Sequence, residues 1–122
     1  MPDITFQAAI NVSKDYLVDG VSASGVTANM TNVGMNSLTF ALSSSVTSIT
    51  TANLTSIGLA FFRNLSTATA STCTIGIEAG GSFTGFCTLR AGEPALLRLT
   101  AGTEYKAVGT AGTRLRVDIT EG

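Results

Sequence analysis

The chain has no histidine, no tryptophan, only two cysteines and two prolines, and only 12% charged residues. Without histidine there is no Ser-His-Asp or Cys-His triad, and the commonest metal ligand is missing. Two cysteines alone do not complete a structural zinc site. With tyrosine only at positions 16 and 105, an aromatic platform for sugars is poorly supplied. Gly80-Gly81 and the later glycines are followed by no Gly-Lys-Ser/Thr, so they read as turn residues rather than a phosphate cradle. No apolar run is long enough for a membrane-spanning helix, and no membrane partner is expected. Met1-Pro2-Asp3 has neither a basic nor an apolar leader segment, so no secretory signal is expected. The net charge is −1. The stretch up to Phe61 carries Asp3, Asp15, Asp19 and Lys14, and the remainder carries a slight basic excess. That imbalance is too small to argue for nucleic acid. Enzyme is the least supported class, and no cofactor or metal is expected.

What the chain does have is alternation. At 122 residues it is expected to be one domain, burying roughly two thirds of its unfolded surface. Ile4, Phe6, Ala8, Ile10 and Val12 alternate with Thr5, Gln7, Ala9, Asn11 and Ser13, the period of a half-buried strand. Tyr16 to Val18 reads as a short strand before the Asp19-Gly20 turn signal. Val21 to Asn36 has no sustained period and reads as a long loop or irregular edge, with Val26, Ala28 and Met30 alternating as a weak strand at most. Leu38, Phe40 and Leu42 form a strand, with a shorter one at Val46 to Ile49. Leu54 to Leu65 is apolar on both parities around Ile57 to Phe62, as expected of a strand buried on both faces. Thr72 to Ile119 reads as four short strands, with inward sets Cys73/Ile75/Ile77, Phe83/Gly85/Cys87/Leu89, Ala95/Leu97/Leu99 and Tyr105/Ala107/Leu115/Val117/Ile119. About eight strands at this spacing, without a helix, predict an all-β, single-domain antiparallel β-sandwich with jelly-roll-like topology. Ile75, Ile77, Phe83, Leu97, Leu99, Leu115, Val117 and Ile119 are the expected core.

Parity carries the reading one step further. Residues directly opposed in an antiparallel pair share a face. Odd-numbered apolar residues on both sides of Gly80 therefore demand an odd loop. A three-residue loop, Ala79 to Gly81, sets Ile77 against Phe83, Ile75 against Gly85 and Cys73 against Cys87, with Phe86 on the other face. Cys73 and Cys87 are then adjacent buried thiols or a disulfide.

Two further groups are candidates for contact. Arg114 and Arg116 share the outward parity of the last strand, and Arg90 and Arg98 flank the loop at Glu93. These five residues are the expected contacts to an acidic partner, the alternative being a solvated strand face with cross-strand acidic neighbours. Asp15 and Asp19 are considered together with loop carbonyls for calcium, against a plain solvated loop. The loops Val21–Asn36 and Ala91–Pro94 are expected to offer free backbone to a partner. Low charge and the double-faced apolar run predict a homo-oligomer, with a trimer favoured over a dimer.

Three segments carry a resemblance. Phe61-Phe62-Arg63-Asn64-Leu65-Ser66 with Ile75-Gly76-Ile77-Glu78, then Leu89-Arg90-Ala91-Gly92-Glu93-Pro94-Ala95-Leu96-Leu97-Arg98-Leu99, then Tyr105-Lys106-Ala107 with the closing Leu115 to Glu121, resemble small virion proteins of tailed bacteriophages. The likeness covers about the C-terminal half and rests on strands and turns. It implies a virion structural role, above all a capsid decoration or cement protein bound to the major capsid protein on the outside of the shell. A tail, baseplate or fibre component is the first alternative, and a lectin-like adhesive module the second. It implies localisation on the virion, assembled in the host cytoplasm, and transfers no catalytic residue.

Overall fold

The computed structural model describes residues 3–30, 32–51, 54–100 and 103–122. Among them it has ten strands and no helix: β1 (Ile4–Lys14), β2 (Leu17–Ala28), β3 (Met35–Ala41), β4 (Thr47–Ser48), β5 (Ile57–Asn64), β6 (Thr72–Ala79), β7 (Ser82–Arg90), β8 (Pro94–Arg98), β9 (Tyr105–Gly109) and β10 (Arg114–Glu121). The all-β reading holds, with ten strands rather than eight. Tyr105 to Ile119 is two strands, because Gly109–Thr113 makes a turn with Gly112 at φ 85° and Thr113 N–H donating to the Thr110 carbonyl. The chain divides into two compact units, Met1–Thr31 and Asn32–Gly122.

The larger unit is β-sandwich-like, with two four-stranded sheets in the orders β3-β10-β5-β8 and β4-β9-β6-β7. All their pairings are antiparallel. First pairs with last (β3 with β10), and the nesting continues inward through β4 with β9, β5 with β8 and β6 with β7. That is a long ribbon of strand pairs rolled into two layers, the jelly-roll order. β10 anchors one layer: Val117 stands between Leu38 and Phe62, and Leu115 between Phe40 and Asn64. Its inward side packs with Cys73, Ile75, Leu89 and Ala107 of the other layer in one core cluster. Of the expected core, Ile75, Leu99, Leu115, Val117 and Ile119 are buried, and Ile77 and Leu97 are partly buried against it. Asn64 is fully buried among these apolar groups with all its polar atoms used. Its Nδ2 donates to the Ser71 and Leu89 carbonyls at 3.2 Å each, and its Oδ1 accepts from Ser66 N–H. It thereby ties β5 in one layer to β7 in the other.

Phe83 is not core, and the cause corrects the hairpin register. The β6–β7 turn has two residues, not three. Gly80 and Gly81 both take positive φ, 61° and 80°, the conformation of a tight type I′ turn. Ala79 then faces Ser82, Glu78 faces Phe83 and Ile77 faces Thr84. A one-residue bulge at Phe86 restores the parity, so that Ile75 faces Cys87 and Cys73 faces Leu89. Gly76 and Gly85 face each other beside the bulge, where a Cβ on Gly76 would collide with the Thr84 backbone carbonyl. The Phe86 ring stands edge-on to Tyr105 at 6.2 Å.

The smaller unit is one antiparallel ribbon, β1 with β2. Val21 to Ala28, expected to be a long loop or irregular edge, is strand throughout. The turn lies between Lys14 and Leu17 with Asp15 at φ 52°, and a bulge around Ser24-Gly25 interrupts the ladder. Asp3 closes the base by accepting from Met30 N–H at 2.8 Å. One side of the ribbon gathers the apolar pairs Ile4–Ala28, Phe6–Val26, Ala8–Ala23 and Ile10–Val21.

Candidate functional site: an arginine-bearing sheet face

The inward parity of the β3-β10-β5-β8 sheet is spent on the core, so its other parity points out. On β10 that side carries Arg114, Arg116 and Asp118; on β5, Leu59, Phe61 and Arg63; on β8, Leu96 and Arg98. Arg116 stands directly opposite Arg63, and Asp118 opposite Phe61, which in turn faces Leu96. Three of the expected contacts, Arg98, Arg114 and Arg116, thus come to one face. Arg90 does not: it ends β7 opposite Thr72, in the other sheet.

Glu93 has a different task. Its carboxylate accepts from Arg90 N–H at 2.6 Å while its own N–H donates to the Arg90 carbonyl, closing the Arg90–Glu93 turn around Gly92 at φ 81°. The turn backbone is also tied to β5, since Asn64 N–H donates to the Glu93 carbonyl and Gly92 N–H to the Asn64 carbonyl. The backbone expected to be free at Ala91–Pro94 is therefore bonded within the chain.

Arg63 was missed at the sequence level. It follows an apolar run in which attention falls on Phe61 and Phe62, yet it shares the parity of Phe61, and that was the available signal. Its neighbour Arg116 is 53 positions away in the sequence and meets it only through the β5–β10 pairing. The electrostatics of this row are unbalanced. Arg116 Nε donates to Asp118 Oδ2 at 2.9 Å, with the Arg116 side chain half exposed and that of Asp118 mostly buried. Arg63, Arg98 and Arg114 form no ion pair among the described residues. Like charges directly opposite on a sheet repel, so Arg63 beside Arg116 is a cost to the fold that an anionic partner would relieve. Beside the arginines lies apolar surface: Phe61 and Leu96 are half-buried, and Met35 at the sheet edge is exposed.

The two thiols are free. The bulge makes them diagonal rather than opposed neighbours, and diagonal partners lie about 7–8 Å apart, wider than a disulfide usually spans. Burial pushes the Cys73 thiol up to about 11, with a backbone hydrogen bond at Leu89 opposing and the nearby Cys87 adding to it. Cys87 is likewise pushed up, by burial first and then by the Glu93 carboxylate. Both shifts favour the protonated thiol near neutral pH; Cys73 lies in the core and Cys87 is partly buried against it.

Asp15 and Asp19 lie at the tip of the β1–β2 ribbon, where Asp19 Oδ1 accepts from Gly20 N–H. Among the described residues no three His, Cys, Asp or Glu side chains cluster in a way that could hold a metal. Glu121, the one buried carboxylate of the described residues, accepts from Thr55 and Ser56 N–H at 2.8 and 3.1 Å and pins that loop to β10. A shallow pocket lined by Ser48, Ile49, Thr50, Thr51, Glu104 and Tyr105 presents a single carboxylate. No family model, curated protein or solved structure matches the chain.

Proposed function

We propose that this chain is a bacteriophage virion structural protein, a decoration or cement subunit that binds the outside of the capsid and reinforces it. The observation that carries the reading is the jelly-roll strand order of the larger unit. Viral capsid proteins and lectins share that architecture, so the step from fold to function is one of analogy. The sequence resemblance of the C-terminal half to small phage virion proteins points the same way. A cement protein needs a rigid body and several contact surfaces, each weak, repeated over a lattice until avidity makes the whole strong. The sandwich supplies the rigid body, and the arginine-bearing face supplies a surface suited to acidic groups of the major capsid protein. Neither nucleic acid nor membrane enters this reading, and the place of work is the virion.

The test is to prepare particles without the protein, add it back, and heat both. Binding to the shell with genome release at a higher temperature supports the reading. Release at the same temperature, or no binding, ends it. Because lectins share the fold, the purified protein is also passed over a glycan array. Glycan binding without shell binding would replace the cement reading with an adhesive one. Recovery on tails instead of shells would place the subunit in the tail, baseplate or fibre.

A further inference from the structure

The β1–β2 ribbon presents an unusual surface for a chain in water. One side of it is a continuous apolar stripe, and in the single chain Ile10 and Val21, at its middle, are 62% and 60% exposed. A two-stranded ribbon is marginally stable by itself, and gains stability by laying its apolar side on another layer. The charges of the ribbon say what that layer is. Asp3, Asp15 and Asp19 against Lys14 give it a net charge of −2. The outer face of the β3-β10-β5-β8 sheet has the opposite character, +3 from Arg63, Arg98, Arg114 and Arg116 against Asp118. On both surfaces the charge stands next to apolar groups. Asp19 shares its side of the ribbon with Val21, two residues on, and Arg63 shares its side of β5 with Phe61, two residues back.

We infer that the β1–β2 arm of one copy docks, apolar side down, on the arginine-bearing sheet face of a second copy. This inference does not depend on the virion reading. The size of the contact says how many such contacts an assembly needs. A ribbon of 11-residue strands is about 36 Å long and about 10 Å wide, so one docked arm buries about 700 Å² in total. A stable specific interface buries roughly 1,200–2,000 Å². One arm falls short, whereas a closed assembly in which every copy gives an arm and receives one buries about 1,400 Å² in total as a dimer and about 2,100 Å² as a trimer. Docking would also place the acidic tip near the Arg63–Arg116 pair and relieve its repulsion.

Sedimentation equilibrium on the 122-residue chain tests this, together with two charge reversals, Arg63→Glu with Arg116→Glu and Asp15→Lys with Asp19→Lys. The expected wild-type mass is two or three times 12.5 kDa at micromolar concentration. Each reversed pair should weaken association about tenfold or more, and the two pairs combined should restore it. All four positions are exposed, so the fold should survive, as circular dichroism would check. A benzophenone amino acid at Ile10, in a mixture of light and heavy copies, should cross-link to β5 or β8 of the other isotope. A monomeric wild type, reversals without effect, failure of the combined variant to recover, or cross-links within one copy or to the other sheet would each overturn the inference. Genome-release temperatures play no part in these readouts, so failure here and failure of the cement reading are separable.

Discussion

The β1–β2 arm and the β10 strand look alike as sequences and end in opposite surroundings. Ile4, Phe6, Ala8, Ile10 and Val12 alternate as cleanly as Leu115, Val117 and Ile119. Yet the three β10 residues are fully buried while Ile10 is 62% exposed. Alternation says that a strand has an apolar side; it does not say what covers that side. For β10 the cover is the second sheet of the same chain, reached through the nested pairing. For Ile10 and Val21 of the arm it is water in the single chain. Stability should follow the cover and not the pattern. The largest expected effect is therefore in the sandwich: Phe62→Ala, at a fully buried ring, should cost about 3–5 kcal/mol in urea unfolding. A loss under 1 kcal/mol would put the core elsewhere and break the contrast.

The next effect concerns how the two layers are held in place. Asn64 is as buried as Phe62, but its contribution is directional. Its side chain serves the Ser71 and Leu89 carbonyls and Ser66 N–H. Asn64→Leu keeps the number and branching of the side-chain heavy atoms and strands these backbone groups. At 1–3 kcal/mol for each buried group left unpaired, less what water recovers at the partly buried ones, a loss of about 3 kcal/mol is expected. An unchanged urea midpoint would show that packing alone joins the layers. Among the described residues of the arm the side-chain hydrogen bonds lie at its exposed base and tip.

The same contrast explains what could be read in the sequence. Strand existence was readable wherever alternation was long, and the layered all-β class followed from strand count and spacing. Four strands of the C-terminal block were expected where five stand, because Ala107 and Leu115 keep the same parity across the Gly109–Thr113 turn. Val21 to Ala28 was missed because Ser, Gly and Ala dilute its apolar side, and because no second layer selects it. The thiol pair and Phe83 were misplaced for one local reason. Parity demanded an odd correction between Ile77 and Cys87, and a three-residue loop and a two-residue turn plus one bulge satisfy it equally. The choice was made by Gly76, opposite Gly85, where two backbones approach more closely than a Cβ permits. The candidate face was readable only in part. Arg98, Arg114 and Arg116 declare themselves by parity, but Arg63 joins them only through a long-range pairing, and Glu93 looks like a contact until its hydrogen bond to Arg90 is seen. Gly76→Ala tests the bulge and should cost about 1–3 kcal/mol by overpacking. If it were neutral, the tight approach of β6 and β7 would not be what sets the register.

The smallest effect on folding is expected in the arm, and it sharpens the comparison most. Ile10→Ala removes three carbons from a side chain that is largely in water already, so little burial is lost and no cavity forms. Exposed substitutions of this kind usually change stability by less than about 0.5 kcal/mol. Urea unfolding followed through the sandwich, at a concentration low enough to keep the chain monomeric, should therefore not move. Association should move instead. If the arm lies on a second copy, Ile10 is desolvated there, and losing its methylenes at about 0.8 kcal/mol each should weaken the oligomer by tenfold or more. One substitution then separates what the apolar side of a strand does for its own fold from what it does for a neighbour. A shifted unfolding midpoint with unchanged association would mean that the arm is covered within its own chain, and the division between the two regions would no longer stand.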